Sequence, residues 1–203
     1  MRKLTVALIA ISFVGCLDYT SIIKMEPDGS GSLSIELRLP TGGDNSIQVD
    51  KFTWEPEDAS GWKVKVFEVD TLDTVVRIKI DGEFKSLVDF KPPLILDIPS
   101  VVGDIFNFDP DSFSLTREEI PSGYRYHLYR SCFSEGNITF SISVEGTDPD
   151  AYKWREELEL PGKIISHNAD KSRGNTLIWE RRTNDVYKKG LVMEAVWEVG
   201  NTN

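Results

Sequence analysis

The sequence predicts a mainly antiparallel β domain with minor helix, an α+β fold whose sheet curves around a core or a hydrophobic cavity. Three observations predict it. Hydrophobicity repeats every two residues over most of the chain, the period of strands with one wet face. Clusters of Gly, Asp, Asn and Pro sit between these runs at hairpin spacing. Helical periodicity is scarce.

The elements follow in order. Residues 19–25 form a first strand. The turn Pro27-Asp28-Gly29-Ser30-Gly31 joins it to a second, in which Leu33, Ile35, Leu37 and Leu39 alternate with Ser32, Ser34, Glu36 and Arg38. Residues 62–69 make a third strand, whose phase changes at Phe67 and so predicts a bulge there. Leu72-Asp73 turns it into a fourth, with Val76, Ile78 and Ile80 on one face. Tyr124, Tyr126 and Leu128 alternate with Arg125, His127 and Tyr129. After Ser134-Glu135-Gly136-Asn137 comes the alternation Ile138, Phe140, Ile142 and Val144. Residues 156–160 alternate again, and Leu191, Met193, Ala195, Trp197 and Val199 close the chain opposite Glu194 and Glu198. Successive hairpins are the economical topology. One or two helical turns are expected over 85–90, before Pro92-Pro93, and a helix start at Asp148-Pro149-Asp150.

Two segments break the pattern. Residues 41–61 are polar and acidic, with Trp54 among Glu55, Glu57 and Asp58; they read as a long surface loop. Residues 87–108 are apolar yet punctuated by proline. They read as a cover over an open sheet face, or as the lip of a cavity or a membrane-dipping patch. On the second reading Leu94, Ile95, Leu96, Ile98, Val101, Val102, Ile105, Phe106 and Phe108 are the candidate ligand-binding residues.

The 203 residues carry 33 Asp and Glu against 23 Lys and Arg, a formal charge of −10. That balance argues against nucleic acid, which demands a basic face. With 40% hydrophobic residues, the chain is long enough to bury a core without disulfides. No Gly-x-Ser-x-Gly elbow and no Gly-rich phosphate loop occurs. Ser60-Gly61-Trp62-Lys63 matches Ser-x-x-Lys but lacks that motif's companions. His127 and His167 are the only imidazoles, too few for a local zinc motif. The acidic turns at Asp28, Asp109 and Asp148 complete no calcium loop. The expectation is therefore a non-catalytic chain with no cofactor and no metal. Cys132 reads as a small buried hydrophobe.

The N-terminus is more specific. Arg2 and Lys3 precede an apolar run over 4–14, too short to span a bilayer but suited to an export signal. It ends Phe13-Val14-Gly15-Cys16, which resembles the lipobox of bacterial lipoproteins, with Phe13 where Leu is commonest. The resemblance implies cleavage before Cys16 and acylation of that residue. Two parts follow, a signal over 1–15 and one domain over 16–203, whose charge becomes −12 because Arg2 and Lys3 are lost. Asp stands one position later than the inner-membrane retention signal, at Asp18. The implied location is the cell envelope: the outer membrane if the cell has two membranes, otherwise the outer face of the cell membrane. Strand-like sequence begins about three residues after Cys16, a reach of about 10 Å, so the domain is expected against the headgroups.

The C-terminal third carries Leu160-Pro161-Gly162, then Asn168, then Gly174-Asn175-Thr176-Leu177-Ile178-Trp179. A strand ending in Pro-Gly, an Asn and a Gly-x-x-x-x-Trp strand resemble the LppM-type lipoprotein domain, as does the early Asp28-Gly29 hairpin. Residues 41–120 align with no motif of that family. From the residues alone, Pro161-Gly162 makes a sharp corner, Asn168 caps a turn and Trp179 fills the core. The resemblance implies a lipid or glycolipid partner and no catalytic residues. Three functions remain open: a lipid-anchored binder of lipid or another amphiphile, a structural or protein-interaction lipoprotein with a solid core, and an envelope hydrolase.

Overall fold

The computed structural model describes residues 18–40, 62–72, 75–86, 113–132 and 151–200. They form eleven strands and one short helix in two sheets, neither closed into a barrel.

Strand β1 (Asp18–Met25) and β2 (Gly31–Pro40) form the first hairpin. Its turn is held from within. The Asp28 carboxylate accepts the Ser30 N–H at 2.9 Å and the Ser30 hydroxyl at 2.6 Å, which holds its pKa below the usual carboxylate range. Strand β3 (Trp62–Leu72) and β4 (Val75–Phe84) form the second. The expected bulge in β3 is present but earlier: the register shifts between Val64 and Val66, which leaves Phe67 in step with Ile80. Strands β5 (Phe113–Ile120) and β6 (Gly123–Cys132) form a third hairpin. The last part of the chain gives β7 (Lys153–Glu159), β8 (Lys163–His167), β9 (Lys171–Arg173), β10 (Thr176–Arg182), α1 (Thr183–Lys189) and β11 (Leu191–Gly200).

The hairpins do not simply follow one another. The seven-stranded sheet runs β3-β4-β2-β1-β7-β10-β9, and the four-stranded sheet β5-β6-β11-β8. Strand β7 therefore lies beside β1, parallel to it, with Trp154 opposite Tyr19. This is the one departure from antiparallel pairing among the described strands. Both β1 and β7 bury one face, Tyr19, Ser21, Ile23 and Met25 on β1 and Trp154, Glu156 and Leu158 on β7, and each is flanked on its other side by an antiparallel partner.

One hydrophobic core joins the inner faces of both sheets. Leu33, Ile35, Leu37 and Leu39 bury as their alternation predicts, as do Val76, Ile78 and Ile80. Trp154, Trp179 and Trp197 are fully buried. Tyr19 stacks on Trp154 at 4.0 Å between ring centroids, and Tyr126 on Trp197 at 5.1 Å. Offset stacking adds about 0.5–1.5 kcal/mol per pair beyond the area buried.

Helix α1 is unannounced by periodicity, since seven residues make only two turns. It spans from the end of β10 to the start of β11, so it crosses from one sheet to the other. Val186 and Thr183 are buried beneath it, and the Thr183 N–H donates to the Tyr152 carbonyl. Asp185 in the first turn and Lys188 and Lys189 in the last suit the helix dipole. Gly190 ends it at φ 71°, donating its N–H to the Val186 carbonyl.

The Pro161-Gly162 corner has a firm steric cause. Gly162 has φ 83°, and a Cβ there would meet the Glu198 carbonyl oxygen at 2.2 Å. The residue lies at the joint where β8 returns against β11, with Lys163 opposite Glu198. Gly162→Ala is expected to cost about 2–4 kcal/mol. Urea unfolding checks it: the midpoint should fall while the slope is unchanged.

Candidate functional site

Cys16 and the candidates over 94–108 lie outside the described residues, as do residues 41–61, Ser60, Asp109, Asn137 and Asp148. What the structure does place is the frame around them. Strand β1 begins at Asp18, two residues after Cys16. The Asp18 carboxylate accepts the Lys153 backbone N–H at 2.8 Å, which ties the start of β1 to the start of β7.

Just inside this end sits a polar cluster in the core. Glu156 on β7 and Arg130 on β6 both point inward, in phase with their apolar neighbours, and both are buried. The Arg130 Nη1 donates to Glu156 Oε2 at 3.1 Å, across the two sheets. The Trp154 indole N–H donates to the other carboxylate oxygen at 3.1 Å. Burial raises the Glu156 carboxyl above its ordinary range, while Arg130, Ser21 and Trp154 pull it back down. Tyr19 is raised chiefly by burial, with Glu156 adding to it. Cys132 lies in the same cluster. Burial pushes its thiol up to about 12, against the lowering effect of Arg130. A thiol of that kind is not a nucleophile at neutral pH.

Asn168 corrects an expectation. Its side chain does not cap a local turn. The Asn168 Oδ1 accepts the Trp179 indole N–H at 2.7 Å and the Glu194 backbone N–H at 2.8 Å. Its Nδ2 donates to the Val192 carbonyl at 3.0 Å. Asn168 therefore straps β10 of one sheet to β11 of the other. The Asn and Trp of the C-terminal pattern are thus one hydrogen-bonded unit, and Trp179 contributes a polar contact as well as core area.

The outer faces of the sheets differ. The seven-stranded sheet presents a charged lattice. Arg38 meets Glu36 at 2.7 Å, Arg77 meets Asp70 at 3.1 Å, Lys79 meets Asp81 at 2.8 Å and Arg155 meets Glu180 at 2.7 Å. A depression of about 440 Å³ lies within it. The four-stranded sheet carries a depression of about 370 Å³ that gathers both histidines, with Tyr129, Glu194 and the hydroxyls of Ser114, Thr116 and Ser166. His127 is exposed, as its strand phase predicts, and stands 4.0 Å from Glu118. Among the described residues no cluster of three or more His, Cys, Asp or Glu side chains is placed to hold a metal. No helix among them is long and apolar enough to cross a membrane.

The buried thiol gives a direct check on the cluster. In the native protein at pH 8, Cys132 should react with iodoacetamide at least about a hundredfold more slowly than in urea, read by mass spectrometry. Equal rates would contradict its placement.

No family model matches the chain, and no curated protein matches it. Among solved structures, the chain is similar to the NMR structure of the folded domain of LppM from Mycobacterium tuberculosis, at 13% identity. The likeness covers 96% of each chain, with a TM-score of 0.50. At that identity it is a likeness of fold: this chain folds as the LppM domain does.

Proposed function

We propose that this chain is an exported lipoprotein held to a membrane through Cys16, which binds a lipid or another amphiphile at the membrane surface and catalyses no reaction. The observation that carries the reading is a spacing. A lipobox-like cysteine stands two residues before β1, which in extended chain is about 7 Å. β1 is a central strand, so an acyl group on Cys16 fastens the middle of the larger sheet to the headgroup layer. The apolar run over 94–108 supplies the surface for an amphiphile. The fold likeness to the LppM domain agrees with the family resemblance in the sequence. The proposed place is the cell envelope, at the outer membrane where a cell has two.

A second reading has its own support. Three tryptophans and Tyr19 fill the described interior, which favours a structural or protein-interaction lipoprotein with a solid core.

Purification from native membranes separates the readings. The anchored-binder reading expects an acylated Cys16 by intact mass and co-purifying lipid above that of a control lipoprotein. Cys16→Ser should release the protein from salt-washed membranes. Acylated protein without bound lipid would favour the second reading. Membrane retention of Cys16→Ser would contradict acylation as the main anchor.

A further inference from the structure

The large hydrophobic side chains exposed among the described residues are Tyr129 (43%), Val192 (42%) and Ile165 (45%). All three stand on the four-stranded sheet, Tyr129 and Val192 on its outer face. The register lays the outward residues of that face in rungs across the strands. Thr116, His127, Val196 and Ser166 form one rung, and Ser114, Tyr129 and Glu194 the next. Ser131 faces Val192 beyond them. Glu194 is the one carboxylate in these three rungs, and they hold no Lys or Arg. The outer face of the larger sheet, by contrast, is laced with ion pairs.

A fourth rung, on the Gly123 side, is charged. It runs Glu118, Arg125, Glu198 and Lys163 across β5, β6, β11 and β8. Turned end for end, this rung sets a cation against every anion: Glu118 against Lys163, and Arg125 against Glu198. A half-turn about an axis along the strands, between β6 and β11, performs that reversal for the whole face. The same operation sets Tyr129 against Glu194, a phenol O–H against a carboxylate, and His127 against Val196. Aligned sheets pack with their strands within about 30° of each other, which such an axis allows. Four strands by eight residues make a face of about 20 Å by about 25 Å. Two such faces bury about 1,000 Å² in total, the lower limit for a specific interface.

We propose that this face docks a second copy of the chain, forming a twofold dimer in which the outer faces of the two four-stranded sheets pack together. A chain of charge −10 then meets itself where charge is sparse, and the one charged rung complements itself. Tyr129 and Val192 supply the apolar contact, and the charged rung forms the rim. The axis also keeps the two copies in the same orientation. β6 runs alongside β1, with Arg130 bonded to Glu156 and the Tyr126 Oη 4.0 Å from where a Gly29 Cβ would lie. Both β1 starts therefore come to one end of the dimer, from which two Cys16 residues reach one membrane. The inference does not rest on the acylation of Cys16.

The test is sedimentation of the full chain in neutral detergent matched to the solvent density, across a wide range of concentration. A monomer–dimer equilibrium in the micromolar range is expected, as for other small interfaces. Val192→Asp should weaken it about tenfold or more. Arg125→Glu and Glu198→Arg should each stay monomeric where the native chain dimerises, with an unchanged far-UV circular dichroism spectrum. An equimolar mixture of these two variants should dimerise again, because the introduced carboxylate of one copy faces the introduced guanidinium of the other. Both changes in one chain should restore the dimer as well. A monomer at every concentration, a dimer that Arg125→Glu leaves intact, or no recovery in the mixture would overturn the proposal. So would a monomer whose Tyr129 and Val192 signals are shielded from a soluble paramagnetic probe, which would place another part of the same chain on this face.

Discussion

The structure depends on how two sheets of unequal size are held face to face, and the Arg130–Glu156 pair is where that is decided. Hydrophobic burial brings the sheets together but leaves them free to slide, because it is not directional. A buried guanidinium and carboxylate are directional. Each costs several kcal/mol to remove from water, and only correct geometry recovers that cost. Here both carboxylate oxygens are used, one by Arg130 and one by the Trp154 indole. Trp154 in turn stacks on Tyr19 of β1. The pair therefore fixes β6 against β7 and, through the ring stack, fixes β1 as well. The Asn168 strap fixes β10 against β11 on the other side of β7.

This arrangement gives the proposed anchor its consequence. β1 is paired with β2 and with β7 and packs into the core cluster, so a lipid on Cys16 would be joined to an interior strand of the sheet. The domain would then sit close to the membrane. The charge of −12 that signal cleavage would leave opposes anionic lipid. Neutral or zwitterionic surfaces would remain open to it.

Much of the fold was legible from local pattern. The alternation at Leu33–Leu39, Val76–Ile80 and Leu191–Val199 fixed the inward faces, and Asp28-Gly29 marked a true hairpin. What sequence could not supply was the order in which hairpins join. The β1–β7, β2–β4 and β6–β11 pairings link residues far apart in sequence. The charged pair left a trace nonetheless. Arg130 falls in the inward phase of Tyr126 and Leu128, and Glu156 in that of Trp154 and Leu158, where a charge needs a partner. Asn168 looked like a turn residue because its partners, Trp179 and β11, become neighbours only in the folded chain. Helix α1 was hidden by its length. The candidate lipid-contacting residues over 94–108 lie outside the described residues, and the depression on the charged face was invisible to a search for motifs.

The central claim is that Arg130 and Glu156 act as one unit joining the sheets. A double-mutant cycle of Arg130→Met and Glu156→Gln, read by urea unfolding, tests it most directly. Each single change should cost about 3–5 kcal/mol, because it strands a buried partner. The double change should cost less than the sum by about 1–3 kcal/mol. Additive losses would contradict the account.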